Sequence, residues 1–143
     1  MADFSGRLVL FRVGDLVCAA AATAVREILP RQRATRIPGA PAAVQGLINV
    51  RGELVTLVDG GRLLGRDATE RGGVAVLLRW GDLGVAVTVD EVLDLVPVAA
   101  SALAPREELA GIDPAVVRAV GRHGDRSFIV LDLDALFGPL MAA

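Results

Sequence analysis

The chain has 143 residues, 53% hydrophobic and 22% charged, with a formal net charge of -2. This composition excludes a disordered or solvating segment, and the charge balance gives no general attraction to nucleic acid or an anionic membrane. All 15 basic residues are Arg, which removes lysine chemistry, and one Cys (Cys18) with one His (His123) cannot form an internal disulfide or an ordinary Cys/His zinc site.

Phe4 to Val13 contains the strand-forming run LVLFRV and ends at the turn pair Gly14-Asp15. Leu16 to Ala20 returns as a second short strand, so a hairpin opens the chain. Leu16 to Ala22 is the longest apolar run, seven residues, far short of a membrane helix, and the first residues lack the apolar core of a signal peptide. A cytoplasmic protein is expected. Ala21 to Leu29 is open between helix and strand, because Ala favours one while Val25, Ile28 and Leu29 suit either. The connector RQRATRIPGAP follows Pro30, and a helical turn is expected at Pro41-Ala42-Ala43-Val44.

Gly46 to Asp59 reads GLINVRGELVTLVD, two apolar arms around Arg51-Gly52. Gly52 accepts a positive φ without steric cost, so the tight turn belongs there. Gly60-Gly61 and Gly65 read as turns around Arg62-Leu63-Leu64. Val74 to Trp80 and Leu83 to Val89 form strands about Gly81-Asp82, and Val92 to Val98 continues. A loop carrying Pro97, Pro105 and Pro114 leads to strands at Val116 to Arg122 and Ser127 to Leu133. A short helix follows, with Asp134 as its expected cap. Many short strands separated by turn signals predict an all-β barrel or sandwich in one domain, 1–143.

Few residues suggest catalysis. A Ser-His-Asp arrangement would need His123 with Ser5, Ser101 or Ser127, and His123 reads as an exposed residue at a hairpin tip. Cys18 reads as a buried packing thiol. Asp132 and Asp134 would share a strand face as paired carboxylates, but a helix cap plus a solvent-facing acid explains them with no catalysis and is the preferred reading. No metal or cofactor is expected. Glu27 and Arg51 lie beside strongly apolar stretches, where either an ion pair at a strand edge or two unrelated surface charges fits the spacing.

The series VREIL, TRIPGAP and GLINVRGELVTLVD resembles the CheW-like family of chemotaxis coupling proteins. The matching positions are Val25, Glu27, Ile28, Gly46, Asn49, Arg51, Gly52 and Asp59. LGVAVTVDEVLDLV, with Asp90, Glu91 and Asp94, and the closing GIDPAVVRAVGRHGDRSFIVLDLDALF extend the likeness over roughly Phe4 to Phe137. The resemblance implies two small SH3-like five-stranded β-barrels sharing a core, with short helices. It implies a non-enzymatic adaptor between the cytoplasmic tips of methyl-accepting chemoreceptors and the regulatory domain of a CheA-type histidine kinase. Neither nucleic acid nor direct membrane insertion enters that role. Glu27 and Arg51 match positions of a surface ion pair, and Val25 and Gly46 match positions linked with receptor binding. Asn49 and Gly52 read as structural, holding the hairpin that presents Arg51; Asp59 and Asp90 read as bonding to backbone at strand ends. The sequence departs from the family pattern at the small residues around Cys18, at Gly60 where Leu is usual, and at Ala119 where Gly is usual. Three other readings stay open: a scaffold of a sister chemosensory pathway, such as pilus motility; a decoy without kinase binding; or a ligand-binding or catalytic barrel using Asp132, Asp134 and His123.

Overall fold

The structure is a computed structural model that describes residues 6–69, 73–100, 102–105 and 111–141. Phe4, Ser5 and Ser101 lie outside the described residues. Eleven strands are described: β1 (Arg7–Val13), β2 (Leu16–Ala21), β3 (Val25–Leu29), β4 (Val44–Val50), β5 (Glu53–Asp59), β6 (Val74–Trp80), β7 (Leu83–Val89), β8 (Glu91–Pro97), β9 (Ala102–Pro105), β10 (Val117–His123) and β11 (Arg126–Leu131). Two helices, α1 (Gly60–Leu63) and α2 (Leu133–Met141), join them.

The strands form two sheets. One has the order β8-β1-β2-β11-β10-β9 and combines the two ends of the chain; the other, β3-β6-β7-β5-β4, uses the middle. The all-β class expected from the sequence is present, as two sheets of six and five strands. Neither closes: no pairing joins β8 to β9 or β3 to β4 among the described residues. Each sheet nevertheless curls around its own apolar cluster, Leu8, Leu10, Ala19, Val96 and Phe128 in the first and Leu29, Ile48, Val55, Leu57 and Leu77 in the second. A third and larger cluster, including Phe11, Val58, Val76, Val85, Val87 and Phe137, lies between the sheets. Alternation along single strands divides the clusters: Leu57 and Val55 serve the interior of the second sheet, and Val58 the space between.

Packing explains the small residues of β2. Cys18, Ala19 and Ala20 are at most 2% exposed, and Cys18 stands directly across from Phe11. A large ring on one strand fits against a thiol on its neighbour, which keeps the interior filled. Burial pushes the Cys18 thiol up to about 12, against a smaller lowering by Arg66.

Several expectations change in detail. Ala21 to Leu29 resolves into a single 3-10 turn, Ala22–Ala24, followed by β3. Gly60 and Gly61 are not a turn but the buried start of α1, capped by Asp59. β9 is a strand where a loop was expected; Ala102–Pro105 has no apolar alternation and is recruited by the free edge of β10. The helix cap is Asp132, whose Oδ1 accepts from Ala135 N at 3.1 Å. Asp134 sits inside α2 and accepts from Trp80 Nε1 at 2.7 Å, while Trp80 meets the edge of Phe137 with centroids 6.0 Å apart.

Candidate protein-interaction site

β4 and β5 pair from Val44↔Val58 to Val50↔Glu53, and the chain reverses at Arg51-Gly52. Both turn residues have positive φ, 50° at Arg51 and 88° at Gly52, the backbone of a type I′ hairpin. Asn49 Oδ1 accepts from Gly52 N at 2.8 Å and ties the turn to the strand below it. Glycine takes this geometry freely; a left-handed arginine is uncommon and carries strain of about 1 kcal/mol. The hairpin thus projects the Arg51 guanidinium from a fixed, strained backbone.

Arg51 meets β3. Both of its terminal nitrogens donate to the two carboxylate oxygens of Glu27, with Nη1···Oε2 at 3.3 Å. The Arg51 side chain is 65% exposed and that of Glu27 33%. The hydrogen bond from Arg51 holds the Glu27 carboxyl below its ordinary value of 4.5, with burial opposing, and Glu27 raises Arg51 in return. An exposed pair of this kind adds little to folding and stays available to a partner.

A second pair, not anticipated from the sequence, has the reverse polarity. Arg26 Nη1 lies 3.2 Å from Glu53 Oε2, again joining β3 to the β4–β5 hairpin. β3 and β4 are the two edges of the open sheet, so the two ion pairs span its mouth. The Arg26–Glu53 contact sits over Gly84, where an added Cβ would lie 3.0 Å from Glu53 Oε2 and 3.1 Å from Arg26 Nη1. Only the opposed charges in R-E and R-G-E hinted at it, and sequence distance gave no reason to bring them together.

Exposed apolar residues flank these charges. Leu54, next to Glu53, is 67% exposed, and Leu83, next to Gly84, is 52% exposed. Ile28, beside Glu27, is also exposed. Arginine is among the side chains enriched at protein interfaces.

The other sequence-derived residues lie in scaffolding positions. Val25 begins β3, half-buried against the cluster between the sheets. Gly46 has φ 143° at a bulge in β4, and a Cβ there would run into the carbonyl oxygen of Thr35. That approach lets Thr35 and Leu47 exchange two backbone hydrogen bonds of 2.9 Å, which dock the connector on β4. Asp59, 3% exposed, accepts from Arg62 N at 2.9 Å and Thr69 N at 3.0 Å. Asp90 accepts from Gly14 N at 2.6 Å and so braces the β1–β2 turn.

The candidate catalytic residues fall in two separate places. His123 flanks the β10–β11 hairpin turn, as expected, but is half-buried rather than exposed, and among the described residues its buried Nδ1 has no partner. It lines an open cleft with Val17, Asp94, Asp125, Arg126 and Ser127, whereas Asp132 and Asp134 are engaged at α2. Among the described residues no group of three or more His, Cys, Asp or Glu could hold a metal ion. No helix among them is long and apolar enough to cross a membrane.

The model of the CheW-like domain matches residues 7–139. The chain is 33% identical over 133 residues to the chemotaxis protein CheW of Rhizobium meliloti (strain 1021), covering 91% of this chain and 86% of that protein. It is 30% identical over 142 residues to the chemotaxis protein CheW of Treponema pallidum (strain Nichols), covering 94% and 84%. The fold is similar to that of the scaffolding protein TtCheW from Thermoanaerobacter tengcongensis, with a TM-score of 0.83, 21% identity, and coverage of 93% of this chain and 92% of that one. With the domain match running almost from end to end, and with relatives at this identity aligned over most of their own length, the chain belongs to the CheW-like domain family.

Proposed function

We propose that the protein is a non-enzymatic adaptor of bacterial chemotaxis that links the cytoplasmic tips of chemoreceptors to the regulatory domain of a CheA-type histidine kinase in the cytoplasm. Membership in a family whose relatives are chemotaxis coupling proteins supports this reading. The observation that carries it on this chain is the forked Glu27–Arg51 pair, held on a strained hairpin and flanked by exposed Leu54 and Leu83. Arg51, Glu27, Val25 and Gly46 are the proposed partner-binding residues. The first two would make contact, and the others would set the position of β3 and β4. Asn49, Gly52, Asp59 and Asp90 hold the frame. An adaptor must report changes, which suits interfaces of roughly 600–800 Å² per side and moderate affinity.

A charge swap tests the assignment. Arg51→Glu keeps a cooperative melt, because the pair is exposed, but binds a soluble receptor cytoplasmic fragment roughly tenfold more weakly. Adding Glu27→Arg restores part of the loss. If Arg51→Glu unfolds the protein, or binds the fragment as the parent does, the site assignment fails.

A further inference from the structure

The connector between β3 and β4 carries three arginines, Arg31, Arg33 and Arg36, and no Asp or Glu from Pro30 to Ala43. All three are exposed. Among the described residues none has a carboxylate within ion-pair distance, whereas Arg12, Arg26, Arg51, Arg66 and Arg126 all do. In a chain of net charge -2 this is a concentrated positive segment.

The segment is also fixed in place. Thr35 is bonded to Leu47 through both of its backbone groups, the close approach that Gly46 permits. Ala34 packs on the Leu29–Leu77 cluster. Arg31 and Arg33 line one cleft of about 670 Å³ together with Gln32, Ala34 and Gln45. Gln45 is itself oriented, because its Oε1 accepts from Thr88 Oγ1 at 2.8 Å, which leaves the amide NH2 as a donor. The cleft therefore presents guanidinium and amide donors from an anchored backbone.

We infer that this cleft is a second interaction surface, which recognises an acidic segment of a protein partner through side-chain carboxylates. Planar guanidinium groups match carboxylates in two-point hydrogen bonding, and the amide adds a neutral donor. A lipid surface fits less well: clusters that read anionic lipid use about four to eight basic residues beside a membrane anchor or an amphipathic helix. Nucleic acid fits less well too, because the connector holds no aromatic residue on which bases could stack. None of the cleft residues belongs to the Glu27–Arg51 pair, so the inference does not rest on the adaptor reading.

The test is a titration with fluorescein-labelled hexaglutamate, with tripolyphosphate and phosphatidylserine vesicles in parallel. Saturable binding of the peptide is expected, weakening roughly tenfold as ionic strength rises from about 0.02 to about 0.2 M. The variant Arg31→Gln/Arg33→Gln/Arg36→Gln should lose at least about fivefold in affinity with an unchanged melting curve. Arg7→Gln, an exposed arginine on the other sheet, should bind as the parent does. The inference is overturned if the peptide does not bind, or if Arg7→Gln weakens it as much as the triple variant. Tighter binding of tripolyphosphate or vesicles through the same arginines would overturn it as well.

Discussion

Asp59→Ala removes a buried acceptor, and its cost can be worked out from the contacts. The Asp59 carboxylate caps α1 by accepting from Arg62 N at 2.9 Å, and it holds the returning loop by accepting from Thr69 N at 3.0 Å. Alanine leaves both donors without this partner at a site where Asp59 is 3% exposed. A buried donor left unmade costs about 1–3 kcal/mol, so the pair costs about 2–6 kcal/mol, centred near 4. For a domain of this size the central value lowers Tm by roughly 8–16 °C. Asp59→Asn keeps one carbonyl acceptor and should fall between the two, near half the loss. Denaturant unfolding followed by circular dichroism measures both variants. At temperatures where Asp59→Asn is folded, it should bind the receptor fragment normally, since Glu53 lies at the other end of β5. A change below about 0.5 kcal/mol in Asp59→Ala, or equal losses in both variants, would refute the view that this carboxylate bonds two backbone groups.

Three further outcomes follow from the same structure. The Glu27 carboxyl, followed by carbon-detected NMR, should titrate below 4.5 and return toward that value in Arg51→Gln; no difference would remove the pair. Because the folded-state value is depressed, whatever the pair contributes is present at neutral pH and disappears as pH falls through that lowered value, not above it. Gly46→Ala should lose about 2 kcal/mol or more in denaturant unfolding, since its Cβ meets the Thr35 carbonyl; a neutral result would refute the close approach. Cys18, with its thiol raised to about 12 and no exposed surface, should resist a thiol reagent at pH 8 until denaturant is added, and rapid native labelling would contradict its burial.

The hairpin that presents Arg51 was legible because three signals coincide there. Two apolar arms of strand length, Gly at the turn and Asn two residues before Arg51 each favour the same reversal, and the observed register follows from them. The Arg26–Glu53 pair was not legible, because a bulge between Val25 and Glu27 sets which side chains face the mouth, and bulges leave no mark in alternation. β9 carries no strand signal for a related reason: its strand state comes from the exposed edge of β10, not from its own residues. The cap of α2 shifted from Asp134 to Asp132 because β11 ends at Leu131, which leaves Asp132 as the first free acceptor and turns Asp134 toward Trp80. His-Gly-Asp does form a hairpin tip, but His123 is half-buried there because it lies against a cleft shared with Val17 and Asp94, residues distant in sequence. Local propensity thus carried the hairpins, while contacts between distant strands decided the ion pairs, the edges and the caps.

The proposed adaptor role requires one chain to hold a kinase domain and a receptor tip together. The most direct measurement is a calorimetric titration of the host's CheA-type regulatory domain into this protein, alone and then saturated with the soluble receptor fragment. Saturable binding near micromolar Kd is expected in both cases, because an adaptor must carry its two partners at once. Absence of binding, or loss of kinase-domain binding when the receptor fragment is bound, would contradict it.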